Sequence, residues 1–432
     1  ARRPPPTRHR QGRCLASSEG MPPPESDASL EAPRKVKKPR LPALDSIRFF
    51  LIAYISIGHF IALATKDIFV LKLATQVNVV VGAFFVLSGY VAGYTATELG
   101  KYEASPRIKP EIGYIISRIA GYLPLYLLAQ VVFAPVFLYA DVFYNGVPTA
   151  LFHGLITTTL SQAWFPMHAE LWNAPTWFLS SFTFAMVVLP FALPSIAALK
   201  KRGLKWVFLA LTVLSLLPKI AYSYDLNVWN IMEGITPPKL HPNMALWNVT
   251  RFHPLYAILE VLMGVVAVRL VMTDGLEGEK QPAKPAPAWV PAAGMIWLLV
   301  ARPFGWFQLN DPLLRGFFFI PLFSLFLMRL HRQILSNPPK QSLTTWMSWP
   351  PLVYLGGVSF AIYILHGPIG QIFYKKVVAT KLFGGVMGPG FFPLWLIIVL
   401  LSSMAVDSMF VKNEAVAEFT KNQVKKLTKL LS

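Results

Sequence analysis

Apolar residues are concentrated in blocks of about 20 residues, the length of a helix that crosses a hydrocarbon core about 30 Å thick. Short polar segments separate these blocks along most of the chain. The pattern predicts an all-α membrane protein, a polytopic bundle of about ten transmembrane helices. We place the spans at residues 46–65, 77–97, 112–137, 174–198, 204–222, 252–273, 287–302, 313–330, 352–375 and 390–411. The segment 148–166 is apolar only in part and predicts a re-entrant or interfacial piece.

The two ends of the chain differ from the apolar middle. Residues 1–40 are rich in Pro, Arg and Ser and contain no apolar run, which predicts a disordered basic segment. No acidic residue precedes Glu19, and a segment without acids is typical of organelle transit peptides. Alternatively, Met21 is the native start of the protein. Both interpretations stay open. Residues 412–432 have apolar side chains at helical spacing with lysines between them, which predicts a basic amphipathic helix on an anionic leaflet.

Composition and charge distribution support a membrane protein with residues 41–411 as its transmembrane domain. The chain is 54% hydrophobic and 14% charged, against about 25% charged residues in soluble domains. The net charge of +19 could suggest a nucleic-acid partner. However, the lysines and arginines outside the spans are concentrated on the side that holds both termini. The positive-inside rule then places both termini in the cytosol, with membrane lipids rather than nucleic acid as partners.

The first predicted span holds an arginine, Arg48, and a histidine, His59, in the stretch LDSIRFFLIAYISIGHF. An ionised side chain at the centre of a span costs roughly 2.5–3.5 kcal/mol on insertion scales, so each is a functional candidate. Arg48 is near the inner boundary, where an arginine can act as a snorkelling anchor. His59 is deeper, about 16 Å further along the helix at 1.5 Å per residue. Considered alone, a histidine at such a position is more often a buried structural residue than a functional one.

A second histidine, His366, changes that interpretation. Its span and the span of His59 both begin on the inner side, and both histidines therefore reach a similar depth. Two imidazoles at one level can share proton transfer or activate a nucleophile. Arg118 opens the third predicted span on the inner side, the side of Arg48. Together these residues predict a site for an anionic group at the inner mouth, with histidine chemistry deeper in the membrane.

Other polar or small residues in or near the spans have competing interpretations. Ser88 and Gly89, in FFVLSGYVAGY, permit close helix approach. Glu260 is an intramembrane acid, whereas Asp407 is predicted to be interfacial. Asp45 is either a helix N-cap or the partner of a nearby arginine. The sequence contains no HExxH, CxxC, Gly-rich phosphate loop or GxSxG motif, and no metal site is expected.

Five segments together resemble the membrane-bound acyltransferase 3 family. The first span has its basic residue and histidine after Leu-Asp, and GAFFVLSGYVAGY is similar to its second-helix motif. The other three segments are SRIAGYLPLY, TWFLSSFTFAMVVLP and LGGVSFAIYILHGPI. They occur in the order typical of the family, from residue 44 to about 369. The chain resembles members without an attached extracytoplasmic esterase-like domain.

The resemblance implies transfer of an acyl group, commonly acetyl, from cytosolic acyl-CoA to a hydroxyl of a carbohydrate, lipid or small-molecule acceptor. It implies a donor site with Arg48 and Arg118 at the CoA phosphates and Ser88 and Gly89 nearby. His59 would be the general base or transient acyl carrier, and His366 a second base or positioning group. Further candidates are Asp45, Trp177, Ser180, Glu260 and Tyr363.

The sequence departs from the family pattern at three positions. Gly121 stands where a second arginine is frequent, and Phe182 and Thr183 stand where many members carry acids. Glu260 or Glu170 would have to substitute for those acids. Two alternatives to the enzyme therefore stay open at this point. One is a proton-coupled transporter using the two histidines and Glu260, and the other is a catalytically degenerate membrane scaffold.

Overall fold

The computed structural model describes residues 38–230, 243–276, 285–336 and 342–431. The disorder predicted for residues 1–40, and the two interpretations of the start of the chain, lie almost entirely outside the described residues. Within the described ranges the chain forms helices and no β-strand. The all-α prediction is confirmed.

The described part of the chain contains 18 α-helices. In chain order they are α1 (Ala43–Phe60), α2 (Ile68–Ala74), α3 (Val77–Ala96), α4 (Glu111–Ala120), α5 (Leu123–Asn145), α6 (Val147–Thr158), α7 (Trp177–Ala197), α8 (Lys201–Asp225), α9 (Met244–Phe252), α10 (Pro254–Met272), α11 (Trp289–Ala301), α12 (Asp311–Leu314), α13 (Ile320–Leu335), α14 (Leu343–Met347), α15 (Pro350–Tyr374), α16 (Lys376–Phe383), α17 (Phe392–Val406) and α18 (Glu414–Leu431).

Nine helical segments in the described part of the chain are long and apolar enough to cross a membrane. They are Ala43–Leu63, Ile68–Ala96, Leu123–Asn145, Ala174–Ala197, Lys201–Asp225, Met244–Met272, Asp311–Leu335, Pro350–Tyr374 and Pro389–Val411. The remaining predicted span, 287–302, is the shorter apolar helix α11 of 13 residues. At 1.5 Å per residue α11 is only about 20 Å long. The chain is a multi-pass membrane protein.

The third predicted span, 112–137, is not one continuous helix. It divides at Gly121 and Tyr122 into α4 and α5. Pro124 explains the break, because its ring would clash with the carbonyl of Ala120 four residues earlier in a continuous helix. Arg118 therefore belongs to the short helix α4 and does not open a transmembrane span, which corrects the sequence-based placement.

Glycines allow two helix pairs to approach closely. A Cβ added at Gly89 of α3 would lie 1.8 Å from the carbonyl oxygen of Val261 in α10, and one at Gly264 of α10 would lie 1.9 Å from the carbonyl oxygen of Val86. Helix α15 approaches α1 in the same way, because a Cβ at Gly356 would lie 2.0 Å from the Asp45 carbonyl oxygen. These contacts hold α1 beside α15, and α3 beside α10.

Two peripheral segments complete the fold. The segment 148–166 forms the 12-residue helix α6 and a short 3₁₀ turn, too short to span a membrane. The predicted C-terminal helix forms as α18. It packs on α4, where Thr428 is the nearest side chain to Gly113. Its contact with a lipid leaflet stays a prediction.

Candidate active site

A cavity of about 1110 Å³ runs among the helices, lined by residues from α1, α3, α7 and α15 and their neighbours. Ligand pockets usually enclose about 300–1,000 Å³, so this volume can hold more than one small molecule. Arg48 and Gly356 line one region of the cavity, near the start of α1. His59 lines it about 16 Å further along the same helix. The cavity is therefore lined by both the arginine and the histidine that the first predicted span offered as functional candidates.

The two histidines are in direct contact. His59 Nδ1 is 3.0 Å from His366 Nε2, although the two residues are 307 positions apart in the chain. Their rings are nearly parallel, with an interplanar angle of 11°. His366 is fully buried, whereas the exposed surface of His59 faces the cavity. The two histidines, which the sequence predicted to lie at a similar depth, thus form a hydrogen-bonded pair.

The hydrogen-bond partners of His366 determine which ring nitrogen carries the proton. Its Nδ1 is 3.1 Å from the Ile362 carbonyl oxygen and 2.9 Å from the Tyr363 carbonyl oxygen. A carbonyl only accepts, so Nδ1 of His366 must be the donor, and its Nε2 is then the acceptor in a neutral ring. His59 consequently donates from Nδ1. Its own Nε2 keeps an unshared electron pair, available for proton abstraction or nucleophilic attack.

Asp45 holds Arg48 at its end of the cavity. Arg48 Nη1 is 2.9 Å from Asp45 Oδ1, and Arg40 Nη2 is 3.6 Å from Asp45 Oδ2. The side chain of Asp45 makes no N-cap hydrogen bond to α1. Of the two sequence interpretations of Asp45, the structure therefore supports the arginine partner. Arg48 is one-third exposed, at 34%, and is accessible to a ligand.

The structure separates two predicted donor-site residues from the cavity. Arg118 donates a 2.7 Å hydrogen bond to Thr95 Oγ1 and does not line the cavity. Arg118 therefore does not join Arg48 on the cavity wall, where the sequence had predicted both at the donor phosphates. Gly89 faces α10, where it permits close packing, whereas the adjacent Ser88 lines the cavity.

Helices α7 and α15 form an aromatic wall. Trp177 and Tyr363 line the cavity, and the Tyr363 hydroxyl donates a 2.7 Å hydrogen bond to the Pro175 carbonyl. Phe182, at a position where acids are frequent in the family, also lines the cavity. Ser180 has a structural contact instead, because its Oγ accepts a 3.2 Å hydrogen bond from the Ala163 amide.

Glu260 belongs to a buried ionic cluster and does not line the cavity. Its Oε1 accepts hydrogen bonds from Arg315 Nε at 2.9 Å and from Lys219 Nζ at 3.1 Å. Arg315 Nη2 also binds Oε2. The carboxylate is thus fully engaged, which argues against Glu260 as a proton relay or a substitute acid. The sequence analysis missed Lys219 and Arg315. Each is a cation inside another predicted span, and an intramembrane cation is the expected partner of an intramembrane acid.

Two further ion pairs line the cavity and were not assigned from the sequence. Arg251 Nη2 is 3.1 Å from Glu170 Oε1, and Arg302 Nη2 is 2.6 Å from Asp311 Oδ1. All four residues line the cavity. Of the two glutamates that the sequence offered as substitute acids, Glu170 lines the cavity and Glu260 does not. Arg302 directly follows α11 and Asp311 begins α12, and sequence patterns gave no signal that the charges at these two helix ends would meet.

Comparisons with known proteins identify the family of the chain. The acyltransferase 3 family model, described as an acyltransferase domain, matches residues 41–407. Acyltransferase MdmB of Streptomyces mycarofaciens is 24% identical over 362 residues, which cover 81% of this chain and 82% of that protein. No solved structure matches the chain significantly. The matched region contains both histidines, Arg48 and the whole set of cavity residues, and the chain belongs to the acyltransferase 3 family and is a membrane acyltransferase.

Proposed function

We propose that this enzyme transfers an acyl group, acetyl as the first candidate, from acyl-CoA to a hydroxyl of a carbohydrate, lipid or small-molecule acceptor. The observation that carries the proposal is the 3.0 Å contact between His59 Nδ1 and His366 Nε2 on the wall of a large cavity, from which we infer that Nε2 of His59 is unprotonated. Acyl transfer to a hydroxyl needs a base at that position. Histidine is the side chain whose ordinary pKa suits this role near neutral pH.

The reaction follows from the tautomer. Nε2 of His59 takes the proton of the acceptor hydroxyl while the oxygen attacks the thioester carbonyl. The new C–O bond forms, the C–S bond breaks, and the proton passes from Nε2 to the departing sulfur. His366 Nε2 accepts the hydrogen bond from His59 Nδ1 throughout, which stabilises the transient imidazolium. Such general base catalysis contributes about 10²–10⁴-fold to a rate.

The same nitrogen could also carry the acyl group as a covalent intermediate. The cavity volume favours direct transfer, because about 1110 Å³ accommodates the reacting parts of both substrates together. Direct transfer predicts sequential kinetics, in which no thiol is released before the acceptor binds. A burst of free CoA without acceptor would instead support an acyl-histidine intermediate.

The donor enters at the Arg48 end in this proposal. Guanidinium groups bind phosphate well, because their planar donors match its oxygens. The separation of about 16 Å between Arg48 and His59 along α1 would be bridged by the pantetheine arm. The positive-inside prediction assigns the Arg48 end to the cytosol, the compartment that supplies acyl-CoA.

The acceptor would bind near the ion pairs on the cavity wall. The Glu170–Arg251 and Arg302–Asp311 pairs offer hydrogen-bond acceptors and donors suited to hydroxyl groups. Trp247 lines the same cavity and provides an apolar ring surface. A hydroxyl-bearing acceptor matches this mixture better than a purely hydrocarbon molecule does.

The first test needs no knowledge of the acceptor. Purified protein should be stabilised against heat by acetyl-CoA, because a ligand at 100 times its Kd adds about 2.7 kcal/mol to the native state. Longer acyl-CoAs in the same titration report the acyl length. Arg48→Ala should require higher acetyl-CoA for the same shift. Absence of any shift with all acyl-CoAs in the wild type would refute the donor assignment.

The second test addresses the base. With an acceptor that supports thiol release, His59→Gln should abolish transfer while keeping donor binding, since an amide cannot take the proton. Ser180→Ala is the matched control, because Ser180 contacts the Ala163 backbone outside the cavity. Full activity of folded His59→Gln protein would refute the mechanism.

A further inference from the structure

A second hollow of about 490 Å³ lies beside the cavity, at the start of α15. Arg40, Lys412, Ser348 and Tyr354 are among its lining residues. Gly357 lines both the hollow and the main cavity. A Cβ added at Gly357 would have no atom within 4 Å, so α15 is uncrowded at the residue that the two spaces share.

The carboxylate of Asp45 pairs with one arginine in each of the two spaces. Asp45 binds Arg48 of the cavity at 2.9 Å and Arg40 of the hollow at 3.6 Å. The Arg40 side chain is 79% exposed, whereas Asp45 is 24% exposed. The guanidinium of Arg40 therefore presents most of its donors outward, where a ligand can reach them.

Lys412 provides a second cation at the hollow. Its Nζ is 2.6 Å from Asp407 Oδ2 and lies 5.1 Å from the centre of the Tyr354 ring. The side chain of Lys412 is 57% exposed, but that of Asp407 is only 5% exposed. The hydrogen bond to Asp407 raises the pKa of Lys412, which keeps the amine charged at neutral pH. At the hollow, the cationic side chains are thus more exposed than the carboxylates that bind them.

We infer that this hollow binds the phosphate groups of the donor's nucleotide head, with Arg40 and Lys412 as its ligands. The inference rests on the proposed function and adds a site to it. The pantetheine arm would pass Gly357 into the cavity, with Arg48 at the phosphate nearest the arm. Three cations spread over two adjoining spaces suit a ligand with several separated phosphates, because each phosphate can gain a charge-assisted hydrogen bond.

The test compares two donors that share one thioester. Acetyl-pantetheine contains the acetyl group and the arm but no nucleotide or phosphate. Binding of both donors would be measured by calorimetry on the purified full-length protein and on Arg40→Ala and Lys412→Ala. We expect each variant to weaken acetyl-CoA binding roughly 10-fold and to leave acetyl-pantetheine binding unchanged within twofold. Lys421→Ala, an exposed lysine of α18 outside the hollow, is the matched control and should change neither.

Charge-preserving variants guard against a folding defect. Arg40→Lys and Lys412→Arg should retain most of the acetyl-CoA affinity, because each keeps a cation at the hollow. Equal weakening of both donors, or no weakening of either, would overturn the site. If wild-type protein binds neither donor, the proposed function itself fails, which is a separate result.

The phosphate of an anionic lipid has the same chemistry as that of a nucleotide. Repeating the titrations in bilayer discs of phosphatidylcholine alone, and of phosphatidylcholine with phosphatidylglycerol, separates the two sources. The nucleotide site predicts the same loss of acetyl-CoA affinity in both discs. A loss confined to discs that contain phosphatidylglycerol would overturn the inference in favour of a lipid headgroup.

Discussion

Neutralising Glu260 should damage the protein far more than neutralising Lys219, although the two side chains contact each other. Glu260, Lys219 and Arg315 are 2%, 3% and 6% exposed. Two cations therefore share one carboxylate inside the bundle. Glu260→Gln leaves both cations buried without a counter-charge. Lys219→Met leaves the Arg315–Glu260 pair, which is neutral and joined through both carboxylate oxygens.

The magnitudes follow from these contacts. Removing one partner from a buried ion pair costs about 3–5 kcal/mol, because the remaining charge is uncompensated. Lys219→Met removes hydrogen bonds to Ser215 and Glu260, each worth about 1.5–3 kcal/mol when a charged group takes part. It also removes the need to bury an ammonium group, which is worth several kcal/mol in the opposite direction. The net effect of Lys219→Met should therefore be small, about 1 kcal/mol.

The rate of irreversible thermal unfolding is the suitable measurement, because membrane proteins of this size rarely unfold reversibly. If the cluster forms after the folding transition state, a loss of about 3 kcal/mol accelerates unfolding more than 100-fold. Glu260→Gln should show this acceleration, Lys219→Met should stay within about tenfold of the wild type, and the double variant should lie between them. The reasoning is refuted if Lys219→Met unfolds as fast as Glu260→Gln.

Three further predictions concern other contacts. His366→Leu should lower kcat at least 10-fold without changing acetyl-CoA affinity, and His366→Gln should recover part of the loss by accepting from His59; steady-state kinetics and calorimetry test both. Gly89→Ala should prevent stable folding because its Cβ would meet a backbone oxygen, whereas Gly203→Ala, with no contact closer than 3.4 Å, should be tolerated in a thermal melt. Arg269→Met should lower thermal stability by several kcal/mol, since Arg269 is fully buried and donates to three backbone carbonyls, each costing about 1–3 kcal/mol when unpaired.

Much of the site could be predicted from spacing along the spans. The depth of His59 and His366 followed from the rise of a helix and from counting residues from one side of the membrane. Asp45 could be identified as a candidate partner of Arg48 because residues three apart share a helix face. These inferences depend on local geometry, which the order of the residues determines almost completely.

The sequence by itself thus determined the helical bundle, the family and the level of the two histidines. Only the tertiary structure decided which charges meet. Glu260 pairs with Lys219 and Arg315, which are 41 and 55 positions away. Arg118 binds Thr95 and stays outside the cavity that Arg48 lines. The tautomer of the histidine pair also needed both helices in contact, because the carbonyls of α15 assign the proton of His366 and α1 brings the ring that responds to it. Partners of this kind are chosen by the packing of whole helices, and that packing depends on side chains distant in the chain.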